Sequence, residues 1–339
     1  MKFGTVPLAE ARGGVLAHSL RLGGVSLKKG RRLDDDDLAS LNSAELTEVT
    51  VARPEAGDVD EDRAAASIGG AVAGNGVSAK APFTGRVNLL ATCRGLVHYD
   101  ADKLDALNLI DEAITVAALP PWQPVEPGTM VATIKIIPFF VAGALLERAA
   151  AIAGSPVMRV APYRPRAVGL VQTLLPGTRD KVLDKTVKVL RSRVEDLSGS
   201  LAAEVRCAHE TDAIANAITE QLAAGLDLVL IAGASAITDR RDLVPSAIER
   251  AGGCILHFGM PVDPGNLLLL GEVDGVPVIG LPGCARSPKT NGFDWVLGRL
   301  ACGLPVTADD IKRMGSGGLI PGGSSYGSAA ASGGKGRAA

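Results

Sequence analysis

The sequence lacks the features of several large classes of protein. Its 35 basic and 37 acidic side chains leave a formal charge of −2, so it has no basic footprint for nucleic acid or for an anionic membrane surface. No stretch approaches the ~20 uninterrupted apolar residues of a membrane-spanning helix. The first residues lack the apolar core of a secretory signal. We therefore expect a cytoplasmic protein with neither nucleic acid nor a membrane as partner.

Cysteine is also scarce. The 5 cysteines among 339 residues form no Cys-x-x-Cys pair, which excludes a zinc knuckle of the usual spacing. Their odd number argues against a disulfide framework and fits a reducing compartment. Glycine, by contrast, is abundant: 41 of the 339 residues (41/339, or 12%) are glycine, against a usual share of roughly 7%. Glycine serves both flexible linkers and loops that approach ligands closely, so its positions decide what the excess means.

Patterning along the chain predicts three regions and a tail. Residues 1–60 are typical of an α+β segment, in which the acidic run 34–37 marks the first turn of a helix more than a metal cluster. Residues 61–160 are β-rich. Residues 165–304 alternate buried strands with amphipathic helices, which predicts an α/β domain with a three-layer, doubly wound, mostly parallel sheet. Residues 315–339 are expected to form a disordered Gly/Ser/Ala tail.

Three loops in residues 165–304 follow predicted strands, where open α/β sheets bind ligands. The first loop follows the strand Leu228–Ala232. Its small and hydroxyl residues bring donors to an anion, and they are Gly233, Ala234, Ser235 and Thr238. Asp239 or Asp242 could hold a magnesium ion or a ligand hydroxyl. A tight turn in which Asp242 caps the next helix explains the same residues equally well.

The other two loops follow the strands Cys254–Phe258 and Val276–Gly280. The second loop contains Pro264, Gly265 and Asn266, and the third contains Pro282, Gly283, Cys284, Arg286 and Ser287. Pro-Gly turns are common, so the second loop is a weak indication by itself. The third loop precedes a helix and would suit a phosphate. Cys284 fits a small buried apolar side chain as well as an active one.

Together the three loops resemble those of the molybdopterin-binding domain of molybdenum cofactor synthesis proteins. Its Gly-Gly…Asp loop is similar to residues 233–242, its Pro-Gly-Lys-Pro loop to residues 264–267, and its Leu-Pro-Gly-Asn-Pro-x-Ser loop to residues 281–287. This chain has Ala234, Asn266 and Cys284 where a glycine, a lysine and an asparagine are usual. Residues 27–51 resemble the segment that precedes this domain in the molybdotransferase branch. The β-rich insertion resembles a variant group that can be joined to a nucleotidyltransferase.

The resemblance implies a pterin ligand that carries a dithiolene and a terminal phosphate. The phosphate would lie on the first and third loops, with Asp239 and Asp242 as catalytic residues and Asp242 also holding Mg²⁺. Such proteins transfer AMP from ATP to molybdopterin, or hydrolyse the adenylate and insert molybdate, often as homo-oligomers. The loss of the lysine charge at Asn266 leaves open a non-catalytic carrier that presents the cofactor to a cytidylyltransferase or a molybdoenzyme.

Overall fold

The chain divides into two units, Met1–Ala161 and Pro162–Ala339. The structure, a computed structural model, describes residues 1–22 and 24–321. Within these ranges no helix has both the length and the apolar character that crossing a membrane requires.

The first unit is rich in short antiparallel strands. Its strands are β1 (Lys2–Pro7), β2 (Val15–Leu16), β3 (Leu20–Leu22), β4 (Val25–Leu27), β5 (Glu48–Arg53), β6 (Asp58–Asp60), β7 (Val77–Ala79), β8 (Arg86–Ala91), β9 (Gly95–Tyr99), β10 (Ile114–Ala118), β11 (Pro124–Val125), β12 (Met130–Ile136), β13 (Phe140–Ala142) and β14 (Met158–Pro162). Its helices are α1 (Asp35–Ser43), α2 (Glu61–Val72), α3 (Ala101–Asn108) and α4 (Gly143–Ala153).

Two apolar clusters stabilise this unit. One packs α1 near the sheet of order β1-β5-β2, with Leu41 and Val51 buried. The other packs α2 against the sheet of order β10-β12-β8-β7, with Ile68 and Leu89 buried. The acidic run is a helix start, as predicted: Asp34 and Asp37 form a reciprocal capping box at the first turn of α1.

The second unit alternates strands and helices. Its strands are β15 (Ala167–Leu174), β16 (Ser200–Ala208), β17 (Leu228–Ala232), β18 (Cys254–Phe258), β19 (Leu269–Val273) and β20 (Val276–Gly280). Its helices are α5 (Asp180–Asp196), α6 (Thr211–Ala223), α7 (Leu243–Arg250), α8 (Gly292–Ala301) and α9 (Ala308–Lys312). The strands form one sheet of order β16-β15-β17-β20-β19-β18.

This sheet is mostly parallel, which confirms the predicted fold class at that level. Strands β16, β15, β17 and β20 are mutually parallel, and β19 runs against both β20 and β18. Alternate residues of β17 enter two separate apolar clusters: Leu228 and Leu230 pack with α5 and α8, whereas Val229 and Ile231 pack with α6 and α7. Burial on both faces explains the continuous apolar run of this strand.

A tight hairpin joins β19 to β20. Val273 pairs with Val276, which leaves Asp274 and Gly275 as a two-residue turn. Their φ angles are +50° and +78°. Positive φ at both central residues is the requirement of a type I′ turn, whose twist matches that of the paired strands, and Asp-Gly is a preferred sequence for it.

The segment predicted as a tail begins within a short 3-10 helix, Arg313–Gly315. The amide of Asp263 donates to the carbonyl of Gly318 at 2.8 Å, and the amide of Ile320 donates to the carbonyl of Asp263 at 2.9 Å. The buried side chain of Met314 joins the apolar cluster of α5 and α8. Residues 322–339 of the predicted tail lie outside the described residues.

Candidate functional site

The carboxyl edge of the parallel strands brings two of the three predicted loops together. The first loop leaves β17 and the third leaves β20, and these strands are hydrogen-bonded neighbours. Neighbouring strands lie about 4.8 Å apart, so the two loops start side by side. The second loop leaves β18, which β19 separates from β20.

The start of the first loop is fixed by the end of β15. The buried hydroxyl oxygen of Thr173 accepts the amide of Ala234 at 2.6 Å and lies 2.8 Å from Nδ1 of His209. With the amide donating to its oxygen, the hydroxyl can donate its own proton to the imidazole. One side chain therefore links loop residues at the ends of β15, β16 and β17.

The first loop presents backbone donors. Among the described residues, the amides of Ser235 and Ala236 have no hydrogen-bond partner, and both residues are exposed. Gly233 permits this tight path, because a Cβ at that position would lie only 2.9 Å from the carbonyl oxygen of Ser235. Adjacent unpaired amides at the end of a strand are suited to an anion.

Asp242 has the capping geometry that the sequence allowed. Its Oδ1 accepts the amide of Leu243 at 2.7 Å, and its Oδ2 accepts the amide of Thr238 at 3.1 Å. Both carboxylate oxygens thus stabilise the turn into α7. The catalytic and magnesium roles of Asp242 stay predictions.

Asp239 is tied to its own loop. Its exposed carboxylate accepts both the amide and the Nε of Arg241, each at 2.9 Å. The hydrogen bond from the Arg241 side chain lowers the pKa of Asp239 below its usual value, so the carboxylate is ionised at neutral pH. Its predicted role in catalysis has no test in these contacts.

The third loop forms a 3-10 helix over Gly283–Arg286, after the buried Pro282. A helix start leaves its first amides free, and those of Gly283 and Cys284 have no partner in the described parts of the chain. Nη2 of Arg286 donates to the carbonyl of Gly233 at 2.5 Å. Arg286, half-buried, therefore fastens the third loop to the first, and burial lowers the pKa of its guanidinium.

A buried arginine on α5 holds the far side of the third loop. Arg193 donates to the carbonyls of Ala285 at 2.8 Å, Ser287 at 2.6 Å and Lys289 at 2.8 Å. Its Nε donates to Asp294 of α8 at 2.6 Å, where both side chains are almost fully buried. The three bonds to carbonyls draw the loop toward α5, and the fourth ties α5 to α8.

Two further predicted residues, Cys284 and Ser287, belong to the third loop. Burial raises the pKa of the Cys284 thiol, so it stays protonated at neutral pH. Oγ of Ser287, which is half-buried, accepts the amide of Lys289 at 3.3 Å.

The second loop packs on the start of α8. Gly292 donates its amide to the carbonyl of Pro264 at 2.8 Å. Gly265 has a φ of +141°, and a Cβ there would lie 2.7 Å from the amide nitrogen of Gly292. This close approach explains the Pro-Gly sequence without a ligand. Asn266 is exposed to solvent.

The described residues hold no cluster of protein side chains for a metal ion. Across residues 1–22 and 24–321, no group of three His, Cys, Asp or Glu side chains converges as metal ligands. In the first loop, both carboxylate oxygens of Asp242 accept backbone amides, and Oδ1 of Asp239 accepts two N–H groups of Arg241.

Sequence reasoning missed Thr173, His209 and Arg193. Thr173 could have been found, because it lies one residue before the end of a strand whose other residues are mostly apolar. His209 directly follows the neighbouring strand, so its place at the carboxyl edge was also readable. Arg193 gives no local signal, since an arginine on an amphipathic helix usually faces solvent.

Comparison with known families now bears on these loops. Residues 169–301 match a family described as "Probable molybdopterin binding domain". The predicted resemblance is confirmed for this part of the chain, and it connects the domain to molybdenum cofactor biosynthesis. Residues 5–53 match a family described as a domain of unknown function. No curated protein matches the chain.

Two solved structures show a distant likeness. One is a molybdopterin biosynthesis protein (MoeA) from Pyrococcus horikosii, 14% identical, covering 93% of this chain and 77% of that one, with a TM-score of 0.29. The other is a molybdenum cofactor biosynthesis protein from Pyrococcus furiosus, 14% identical, covering 90% of this chain and 66% of that one, with a TM-score of 0.25. Superpositions at this level carry no information about the site.

Proposed function

We propose that residues 165–304 bind molybdopterin, or its nucleotide or molybdenum form, at the carboxyl edge of the sheet. On this proposal the protein acts as an adenylyltransferase or molybdotransferase in molybdenum cofactor biosynthesis. One observation carries the proposal: two neighbouring loops, joined by Arg286, each present two unpaired backbone amides. The terminal phosphate of the pterin is the anion that such a cradle suits.

The chemistry follows from positioning. The phosphate would receive hydrogen bonds from the amides of Ser235, Ala236, Gly283 and Cys284, while the remaining N–H groups of Arg286 supply positive charge. Phosphoryl transfer depends on placement and electrostatic stabilisation more than on a covalent nucleophile. In this account ATP, with its magnesium ion, arrives as a substrate, and molybdate is a substrate of the second reaction.

A non-catalytic carrier is the second candidate. The carboxylates of Asp239 and Asp242 are both engaged within the first loop, and Asn266 brings no charge to the edge. Such a site would hold the finished cofactor and present it to a nucleotidyltransferase or a molybdoenzyme.

We also propose that the second unit has three layers, which the two apolar clusters on β17 support. We further propose that the protein forms a homo-oligomer, which sedimentation of the full chain would test.

The binding proposal is tested at Gly283. This residue begins a 3-10 helix after Pro282, whose ψ of 152° is compatible with a following proline, and a Cβ at 283 would meet no atom within 4 Å. Gly283→Pro removes the amide donor, whereas Gly283→Ala keeps it. We expect the proline variant to bind molybdopterin about tenfold more weakly, since a hydrogen bond to a charged group contributes about 1.5–3 kcal/mol. Equal affinities of the two variants would contradict the proposal that the amide of Gly283 binds the phosphate.

Turnover separates the enzyme from the carrier. Purified protein, molybdopterin and MgATP should release pyrophosphate if the protein transfers AMP. Adenylated molybdopterin with molybdate should release AMP if it inserts the metal. Binding without either product supports the carrier. Asp242→Asn keeps an oxygen for the helix cap but removes the charge, so unchanged turnover in this variant would refute a catalytic role for Asp242.

A further inference from the structure

The second unit contains a cavity at the edge opposite the proposed pterin site. Its volume is about 430 Å³, and it lies at the amino ends of three parallel strands, beside Val168, Leu228 and Val276. Apolar side chains of α8 and the segment after it, Leu297, Leu300 and Leu304, form a wall. This size and composition are typical of pockets for small organic ligands.

Two guanidinium groups lie beside Gly303: Arg166 lines the cavity, and Arg164 is exposed to solvent next to it. A Cβ at Gly303 would lie 3.0 Å from Nη2 of Arg166 and 3.2 Å from Nη1 of Arg164. Gly303, which has a φ of +72°, lines the cavity together with Arg166. A side chain at 303 would crowd both guanidinium groups, so glycine at this position allows the two cations to lie close to each other.

Among the described residues, neither cation has an ion pair shorter than 3.7 Å. Nη1 of Arg166 lies 3.7 Å from Oδ1 of Asp227, and its buried Nε has no hydrogen-bond partner in the part of the chain that the structure describes. The guanidinium of Arg164 has neither an ion pair nor a hydrogen bond to any described residue. Like charges at such separation repel, and an anion between them relieves the repulsion.

The carboxylates limit the charge of that anion. Asp227 and Glu272 also line the cavity, and Oδ2 of Asp227 is occupied by the amide of Ala167 at 2.8 Å. A doubly charged head group would face both carboxylates, whereas a single negative charge can stay on the arginine side. We propose that this cavity is a binding site for an amphipathic organic monoanion, whose head group pairs with Arg164 and Arg166 and whose apolar body lies along Leu297, Leu300 and Leu304.

The test uses 8-anilinonaphthalene-1-sulfonate, an amphipathic monoanion that fluoresces when its rings leave water. We expect the full chain to bind this dye saturably, with octanoate displacing it and octylamine failing to do so. Arg164→Gln and Arg166→Gln should each weaken dye binding by about tenfold, since each removes a charge-assisted hydrogen bond. Arg191→Gln, at an exposed position of α5 outside the cavity lining, is the matched control and should bind as wild type does.

A cavity-filling variant completes the test. Leu304→Trp should abolish dye binding, because the larger side chain occupies the space of the apolar body, while far-ultraviolet circular dichroism and an unchanged cooperative melt report that the fold is kept. Wild-type affinity in both arginine variants would overturn the proposal, as would displacement by octylamine as effective as that by octanoate. If the arginine variants melt at a lower temperature yet bind the dye normally, their role is to stabilise the end of α8, and the proposal is again overturned.

Discussion

Arg193 offers the sharpest test of how the third loop is held. In Arg193→Met, the carboxylate of Asp294 stays buried without its partner, and the carbonyls of Ala285, Ser287 and Lys289 lose their donor. Removing one partner of a buried ion pair typically costs about 3–5 kcal/mol, because an uncompensated charge remains. We expect a loss of that size in the free energy of unfolding of the second unit.

The loss in the free energy of unfolding of Arg193→Met should depend on pH in a defined direction. Burial already holds the pKa of Asp294 above its usual value, and Arg193 opposes that rise. Without Arg193 the pKa rises further, so the folded variant keeps a proton that the unfolded chain releases. Stability from such a raised carboxyl pKa is present at low pH and lost as pH rises through the folded value. The deficit of Arg193→Met should therefore be larger at pH 8 than at pH 5.

The measurement is urea unfolding followed by tryptophan fluorescence. The chain has 2 tryptophans, so in a Trp122→Phe background Trp295 on α8 is the single reporter, in the helix that Arg193 contacts. Arg191→Met, on the exposed face of α5, is the matched control and should change stability by no more than about 0.5 kcal/mol. A loss below about 1 kcal/mol for Arg193→Met, or an equal loss at both pH values, would refute the idea that Arg193 holds the third loop in place.

Three further predictions concern the loops. Thr173→Val should lower the free energy of unfolding by about 1–3 kcal/mol in urea titrations, because it leaves the half-buried amide of Ala234 without its acceptor; Thr173→Ser, which keeps the hydroxyl, should retain most of the wild-type stability. Gly265→Ala should reduce the melting temperature in calorimetry, since its Cβ would collide with the amide of Gly292 and its φ of +141° disfavours any side chain, and a melting temperature equal to that of the parent would contradict this close approach. Cys284 should be alkylated by iodoacetamide at pH 7 more slowly than the exposed Cys254, because burial raises its thiol pKa; peptide mass mapping decides the order.

Much of the second unit could be predicted from sequence because its strands are buried on both faces. The run Leu228–Ala232 has no polar position, and helices indeed pack against both of its faces. The strand β19 escaped prediction, although it is apolar apart from Glu272, because no helix separates it from β20. An antiparallel hairpin interrupts the alternation on which the parallel pattern depends.

The candidate site was predictable by position but not by bonding. Loops at strand ends follow from alternation alone, so Gly233 and Gly283 were found. The contact of Arg286 with the carbonyl of Gly233 joins residues 53 positions apart, and no local pattern announces it. The packing of the second loop was not predictable either: Gly265 contacts Gly292, which only the folded chain brings near. The binding role of this loop stays a prediction.

The hairpin turn at Asp274 and Gly275 has a consequence for the opposite edge of the sheet. Those two residues set which residue of β20 faces which residue of β19, and β20 delivers the third loop. Because side chains alternate sides along a strand, one residue inserted into the turn would exchange the inward and outward positions of β20. It would also move the loop's starting point by about 3.4 Å along the strand axis. The position of the third loop, and with it the proposed anion-binding site, therefore depends on a two-residue turn at the other end of β20.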